Sequence, residues 1–168
     1  MKRILILTVM LALLSVETGD VKAQQKPGER ESLKGIVSVL VIVQVPKVEQ
    51  HPPGLTQSDL QTSVELRLRK AGVPIMVPPS QEERSCILQV ELTIVRMLDD
   101  PGIAYGLDVT AKQITTLSRD RSITCLSTTW QRGQVGILGR KVIDDLRGIV
   151  GDRVDEFIND YLAANPKK

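Results

Sequence analysis

Aromatic side chains are nearly absent from this sequence. One tryptophan, one phenylalanine and two tyrosines make up 2% of its 168 residues, too few for a platform on which nucleic-acid bases stack. Histidine is scarcer still, with His51 standing alone. A zinc centre takes about four ligands, and the chain has only Cys86 and Cys125 to set beside that histidine, so no metal site is expected. A serine hydrolase would also rest on His51, without the Gly-x-Ser-x-Gly elbow that exposes a nucleophile. His51 precedes Pro52-Pro53-Gly54 and is expected in an exposed loop.

Neither sign of charge is in excess. The formal net charge is +2, and without its first 23 residues the chain keeps 19 of its 22 basic and 18 of its 20 acidic residues. That balance gives no electrostatic reason to expect nucleic acid or an anionic membrane surface as partner. Long apolar runs are missing too. Residues 4–14 form one of about eleven, short of the roughly 20 that span a bilayer. The run follows Met1-Lys2-Arg3 and precedes Val21-Lys22-Ala23, the order of a cleavable secretory signal. The expected cut lies after Ala23, giving a mature chain from Gln24 and a periplasmic or secreted protein; the alternative is a retained anchor. No cysteine stands at the cut to carry a lipid. Residues 36–45 are very apolar but have the length of a buried strand, so no membrane span is expected after cleavage.

What is present organises the chain around residues 55–77. Thr56 is placed to cap a helix, and Asp59 puts a carboxylate in its first turn, where the helix dipole favours it. Leu60, Val64, Leu68 and Ala71 fall on one face at helical spacing. Glu65 and Arg69 form an i,i+4 pair on the wet side. Arg67, Arg69 and Lys70 lie near the end, and Gly72 suits the left-handed residue that closes a helix. Residues 73–77 then read as a short buried strand.

Taken in order, residues 24–34 are polar and without period, and read as a flexible leader. Residues 36–45 are apolar on both faces, which predicts a central strand. Strand, helix and short strand together predict a parallel crossover. Residues 86–97, 103–114 and 123–130 read as three strands, the first two alternating apolar and polar with period two. Asp99-Asp100-Pro101-Gly102 and Ser118-Arg119-Asp120-Arg121 supply turns between them. Residues 131–139 contain three glycines and read as a loop, and residues 140–164 carry the apolar stripe of a long helix. The predicted order is β-α-β-β-β-β-α. It implies an α+β fold in one domain over residues 35–166, a two-layer sandwich with two helices on one face of a mixed sheet.

Export makes a disulfide thinkable, and the predicted turns test it. They place Cys86 opposite Thr115 and Thr115 opposite Cys125, with one strand between the cysteines. Two strand spacings are about 9.5 Å, beyond the roughly 7 Å between Cα atoms that a bridge tolerates, so the thiols are expected unbridged. The other candidates cluster late in the chain. Gly133, Gly136 and Gly139 open onto a helix beginning with Arg140 and Lys141, in outline a phosphate cradle but without the Gly-Lys-Ser/Thr ending; a plain connector is the alternative. Trp130 stands among Thr128, Thr129, Gln131 and Arg132. It is either an interaction hot spot at a strand end or a lid on the core.

Three stretches, VELRLRKAGVPI (64–75), TTWQRGQVG (128–136) and VDEFINDYLAANP (154–166), resemble a set of small exported bacterial proteins of unknown function. The element order is similar, more loosely, to periplasmic α/β modules such as the TolB amino-terminal domain and the LptE-like outer-membrane assembly lipoproteins. The resemblance implies an envelope or extracellular location and no catalytic residue. The expectation is therefore a non-catalytic envelope module that binds a protein partner, with no cofactor. The alternative is a small-molecule binder or minor enzyme with a site at Trp130, Arg132, Arg140 and the glycine loop.

Overall fold

A computed structural model describes residues 28–45, 55–76, 84–96, 102–139 and 142–166. The expected signal, His51 and Arg140 lie outside the described residues. Four strands form one sheet in the order β1-β2-β3-β4, where β1 is Ser38–Gln44, β2 Ser85–Arg96, β3 Ile103–Leu117 and β4 Asp120–Leu138. The first pair is parallel and the other two antiparallel, so the sheet is mixed. Helix α1, Gln57–Ala71, follows β1, and helix α2, Val142–Ala164, follows β4. The α+β class and the two-layer arrangement are those the sequence predicts.

Helix α1 forms as its sequence dictates. The Thr56 hydroxyl accepts the Asp59 N–H at 3.1 Å, and Gly72 adopts φ 78° at the other end. Leu60, Val64 and Leu68 are buried. The alternation in β2 and β3 holds equally well, with Cys86, Leu88, Val90, Leu92 and Ile94 facing the core beside Ile103, Tyr105, Leu107, Val109 and Ala111. In register, Val39, Val41 and Val43 of β1 meet Cys86, Leu88 and Val90 of β2 on that same face. Leu146, Val150, Val154 and Phe157 bring α2 onto it. One face of the sheet therefore carries both helices and the whole core.

Four expectations are corrected. The strand expected at 73–77 shrinks to a single parallel bridge between Val39 and Ile75. Val39 donates to the Pro74 carbonyl and accepts from Met76 N–H, and Pro74 itself has no N–H to extend the ladder. Strand β1 is consequently the end of the four-strand order rather than its centre, and its apolar second face (Leu40, Ile42) is half-buried. Residues 28–34 of the expected flexible leader are ordered. They make a turn and a short 3-10 helix, Glu31–Leu33, with Leu33 fully buried.

The fourth correction is the largest. The glycine segment expected as a loop is the second half of β4, which runs for 19 residues. Gly136 lies opposite Tyr105, and a side chain there would come within 2.8 Å of the tyrosine ring. Gly133 likewise gives room to Asp108, whose carboxylate lies 2.9 Å from where a Cβ would stand. These glycines are places where a cross-strand neighbour leans over the backbone, not hinges. A bulge also interrupts β4, since Trp130 pairs with Ala111 but Thr128 with Lys112, leaving Thr129 without an opposite residue.

Candidate functional site

The tryptophan and arginine singled out from sequence meet inside the molecule. Trp130 and Arg132 sit two residues apart on the core face of β4, and the guanidinium carbon lies 4.7 Å from the indole centroid. Trp130 has no exposed surface and meets Phe157 edge-on, with centroids 5.3 Å apart. Its indole N–H donates to Asp160 Oδ2 at 2.9 Å. Arg132, itself buried, donates to Asp160 at 3.1 Å and to Glu29 at 2.8 Å, and lies 3.3 Å from Glu156. Arg30 reaches the other oxygen of Asp160 at 3.0 Å. A buried guanidinium needs such compensation, because desolvating a charge without partners costs several kcal/mol.

The cluster is a rivet. It fastens the 28–33 segment, β4 and α2 to one another, helped by bonds from the Ser32 hydroxyl to the Thr129 carbonyl and from Gln113 to the Ser32 carbonyl. Asn165, just past α2, donates to the Leu33 carbonyl. Of the two readings for Trp130, the structure places the ring in the core. Neither Trp130 nor Arg132 offers a surface to a ligand, and Gly133 and Gly136 lie in a strand rather than in a phosphate-binding loop.

The cysteines are free, Cys86 buried and Cys125 exposed. Strand β3 separates them, and Thr115 pairs with Cys125 as the turn argument predicts. On the other side the register differs from the prediction by two residues: Ile87 pairs with Lys112, which aligns Cys86 with Gln113 rather than Thr115. Burial pushes the Cys86 thiol up to about 12. The hydroxyls of Ser127 and Thr115, hydrogen-bonded to Cys125, hold its thiol below the usual value.

Among the described residues, the opposite face of the sheet and the outer edge of β4 are left open. The centre of that face is polar and internally bonded: Lys112 donates to Gln89, Gln89 to Gln44, and Gln131 to Asp108. One corner is apolar. Val95, Ala104 and Ile137 lie in one row across β2, β3 and β4, and Val135 lies two residues from Ile137. Val135 and Ile137 are 83% and 69% exposed, and Val95 is 58% exposed. Beyond the last β2–β3 pair, Ile87 with Lys112, β3 and β4 continue as a two-stranded ribbon, where the paired Ile114 and Leu126 are also exposed.

The edge itself is unusual. Among the described residues no strand pairs with the outer side of β4. Edge strands are normally blunted by charge, proline or short length. Between Ser122 and Leu138 this one has no proline, and its single charged residue is Arg132, turned inward and neutralised. The turn at 28–33 touches the strand around the Thr129 bulge. From Gly133 to Leu138 the sequence is Gly-Gln-Val-Gly-Ile-Leu, with Val135 and Ile137 on the open face and Leu138 packed toward the core.

No known protein family and no curated protein matches the sequence. Several solved structures are similar to it, two bacterial proteins among them. One is a minor lipoprotein from Acinetobacter baumannii, at 17% identity and a TM-score of 0.38, covering 77% of this chain and 93% of that one. The other is the hypothetical protein CT253 from Chlamydia trachomatis, at 12% identity and a TM-score of 0.38, covering 77% and 94%.

Proposed function

We propose that this chain is a non-catalytic module of the cell envelope that works by binding a protein partner along the outer edge of β4. The observation that carries the reading is the undefended edge: from Ser122 to Leu138 a long stretch of strand, free of proline and of outward charge, ending in exposed Val135 and Ile137. Such an edge offers a row of N–H and C=O groups to an added strand, and the alternating side chains beside it supply selectivity. The signal-like start of the chain supports the envelope as its place. The non-catalytic part rests on what the polar groups do. Arg132, Glu29, Glu156 and Asp160 are committed to one another, and the Cys86 thiol is buried and protonated.

The test is site-specific photocrosslinking in the producing cell. A photoreactive residue at Val135 or Ile137 is expected to trap a protein, and one at Ser63, exposed on α1, is not. No adduct at the β4 positions, or equal adducts at Ser63, would sink the proposal.

A further inference from the structure

We infer that the β3–β4 ribbon docks on an anionic lipid bilayer, its exposed apolar side chains entering the headgroup boundary and the cations at its two ends meeting lipid phosphates. This surface is separate from the outer edge of β4 and stands whether or not a strand joins that edge.

The first observation is where the spare positive charge lies. Net charge alone gives no reason to expect a membrane surface, because the chain is nearly balanced. Its charges are sorted by position, however. Arg30, Arg67, Arg69, Arg132, Arg147 and Arg153 all sit in ion pairs. Of the other cations whose side chains are described, Lys70 ends α1 and Lys112 donates to Gln89. The remaining four, Lys34, Arg84, Arg119 and Arg121, belong to the ribbon, and none has an acidic partner among the described residues. Lys34 and Arg84 line a cleft of about 210 Å³ at its root, whose walls include Ile36 and Ile114. Arg119 and Arg121 flank Asp120 at its tip. Asp120 is the ribbon's one carboxylate and is turned back on its own strand, accepting from the Ser122 N–H at 2.9 Å and the Ser122 hydroxyl at 2.7 Å.

The second observation is what lies between those cations. Ile114 and Leu126 pair across the ribbon and are 78% and 55% exposed, and Ile123, nearer the tip, is 44% exposed. Apolar side chains bracketed by lysine and arginine suit an anionic bilayer, where apolar area enters the boundary between headgroups and acyl chains and the cations are drawn to phosphate. A nucleic acid would use the cations but leave the isoleucines in water, with no aromatic ring here to stack on. The signal-like start of the chain brings a bilayer surface within reach.

The experiment is cosedimentation of the chain from Gln24 onward, which includes every described residue, with vesicles of phosphatidylcholine alone or mixed with phosphatidylglycerol. The chain should pellet with the mixed vesicles at low salt, stay in solution with the neutral ones, and be released by high salt. Arg119→Gln combined with Arg121→Gln should weaken binding about fivefold for each cation removed, the effect of one basic residue near an anionic surface. Ile114→Ser combined with Leu126→Ser should weaken it by at least about tenfold, through lost apolar burial. All four side chains are exposed, so the circular dichroism spectrum should not change. Leu66→Ser, which removes an exposed apolar side chain from α1, should bind as the wild type does. No binding to the mixed vesicles overturns the inference, and so does equal binding to the neutral ones. Binding that survives the arginine changes removes the ribbon from it. Binding that the arginine changes abolish but the Ile114 and Leu126 changes leave intact overturns the bilayer and points to a polyanion in solution instead.

Discussion

Single residues decide where the chemistry of this molecule goes, and Arg132 is the clearest case. It sits among three carboxylates and an indole, and its removal takes from buried Glu29 its ion-pair partner and from Asp160 one of its two cations. Arg132→Ala should cost about 3–5 kcal/mol of stability, the range for breaking a buried pair from one side. Trp130→Ala should cost about as much, through loss of a large buried side chain. Urea unfolding measures both, and a double-mutant cycle of Arg132 with Asp160 should show strong non-additivity. The cysteines offer a second pair of outcomes. Cys125, exposed and with its thiol held below the usual value by Ser127 and Thr115, should react readily with a thiol reagent, while Cys86 should react only after unfolding. Alkali should expose Cys86 in another way. Its thiol ionises near 9.0 when free and near 12 in the fold, so the unfolded chain loses that proton first. Stability is therefore whole below pH 9.0 and falls as pH rises toward about 12. Thermal melts across that window should show a loss that Cys86→Val lessens.

At the scale of elements, the two glycines inside α2 have different explanations. Gly148 has open space where a side chain would stand. Gly148→Ala should therefore stabilise the protein by about 0.5–1 kcal/mol, the helix-propensity difference. Gly151 lies under the guanidinium of Arg67, which an added Cβ would overlap, and Arg67 pairs with Asp155 across the two helices. Gly151→Ala must displace that side chain, so the same propensity gain is offset and the net effect should be near zero. Gly136→Ala runs the other way. The added methyl meets the buried Tyr105 ring, and the melting temperature should drop clearly.

These glycines also show why the elements are only partly legible in sequence. Thr56, Gly72 and the Leu60, Val64 and Leu68 stripe announce α1 because each acts through its own neighbours in the chain. The alternation of β2 and β3 is equally local. Strand β4 reads short because Gly133 and Gly136 look like breakers until their cross-strand partners, Asp108 and Tyr105, are known. The leader reads as flexible because nothing near Glu29 or Leu33 in sequence reveals that Arg132 and α2 wait for them about a hundred residues or more away. The short strand at 73–77 fails for the opposite reason, since Pro74 is in plain view and its missing N–H outweighs the apolar run around it. The candidate site follows the same logic. Trp130 and Arg132 stand out correctly as unusual, but their polar neighbours suggest a surface, whereas the partners that bury them come from other elements.

At the scale of the whole molecule, one face of the sheet is spent on the core and, among the described residues, no strand pairs with the outer edge of β4. Both helices, the 28–33 segment and the buried cluster they share serve the first. The outer edge of β4, ending in exposed Val135 and Ile137, is the edge we propose a partner strand joins. Hydrogen exchange along β4 tests this most directly, comparing the chain bound to the protein trapped at Val135 with the chain alone. Outward-pointing amides between Gly133 and Leu138 should exchange slowly in the complex and rapidly in the chain alone, while β2 and β3 change little. Identical exchange along β4 in both states would contradict it.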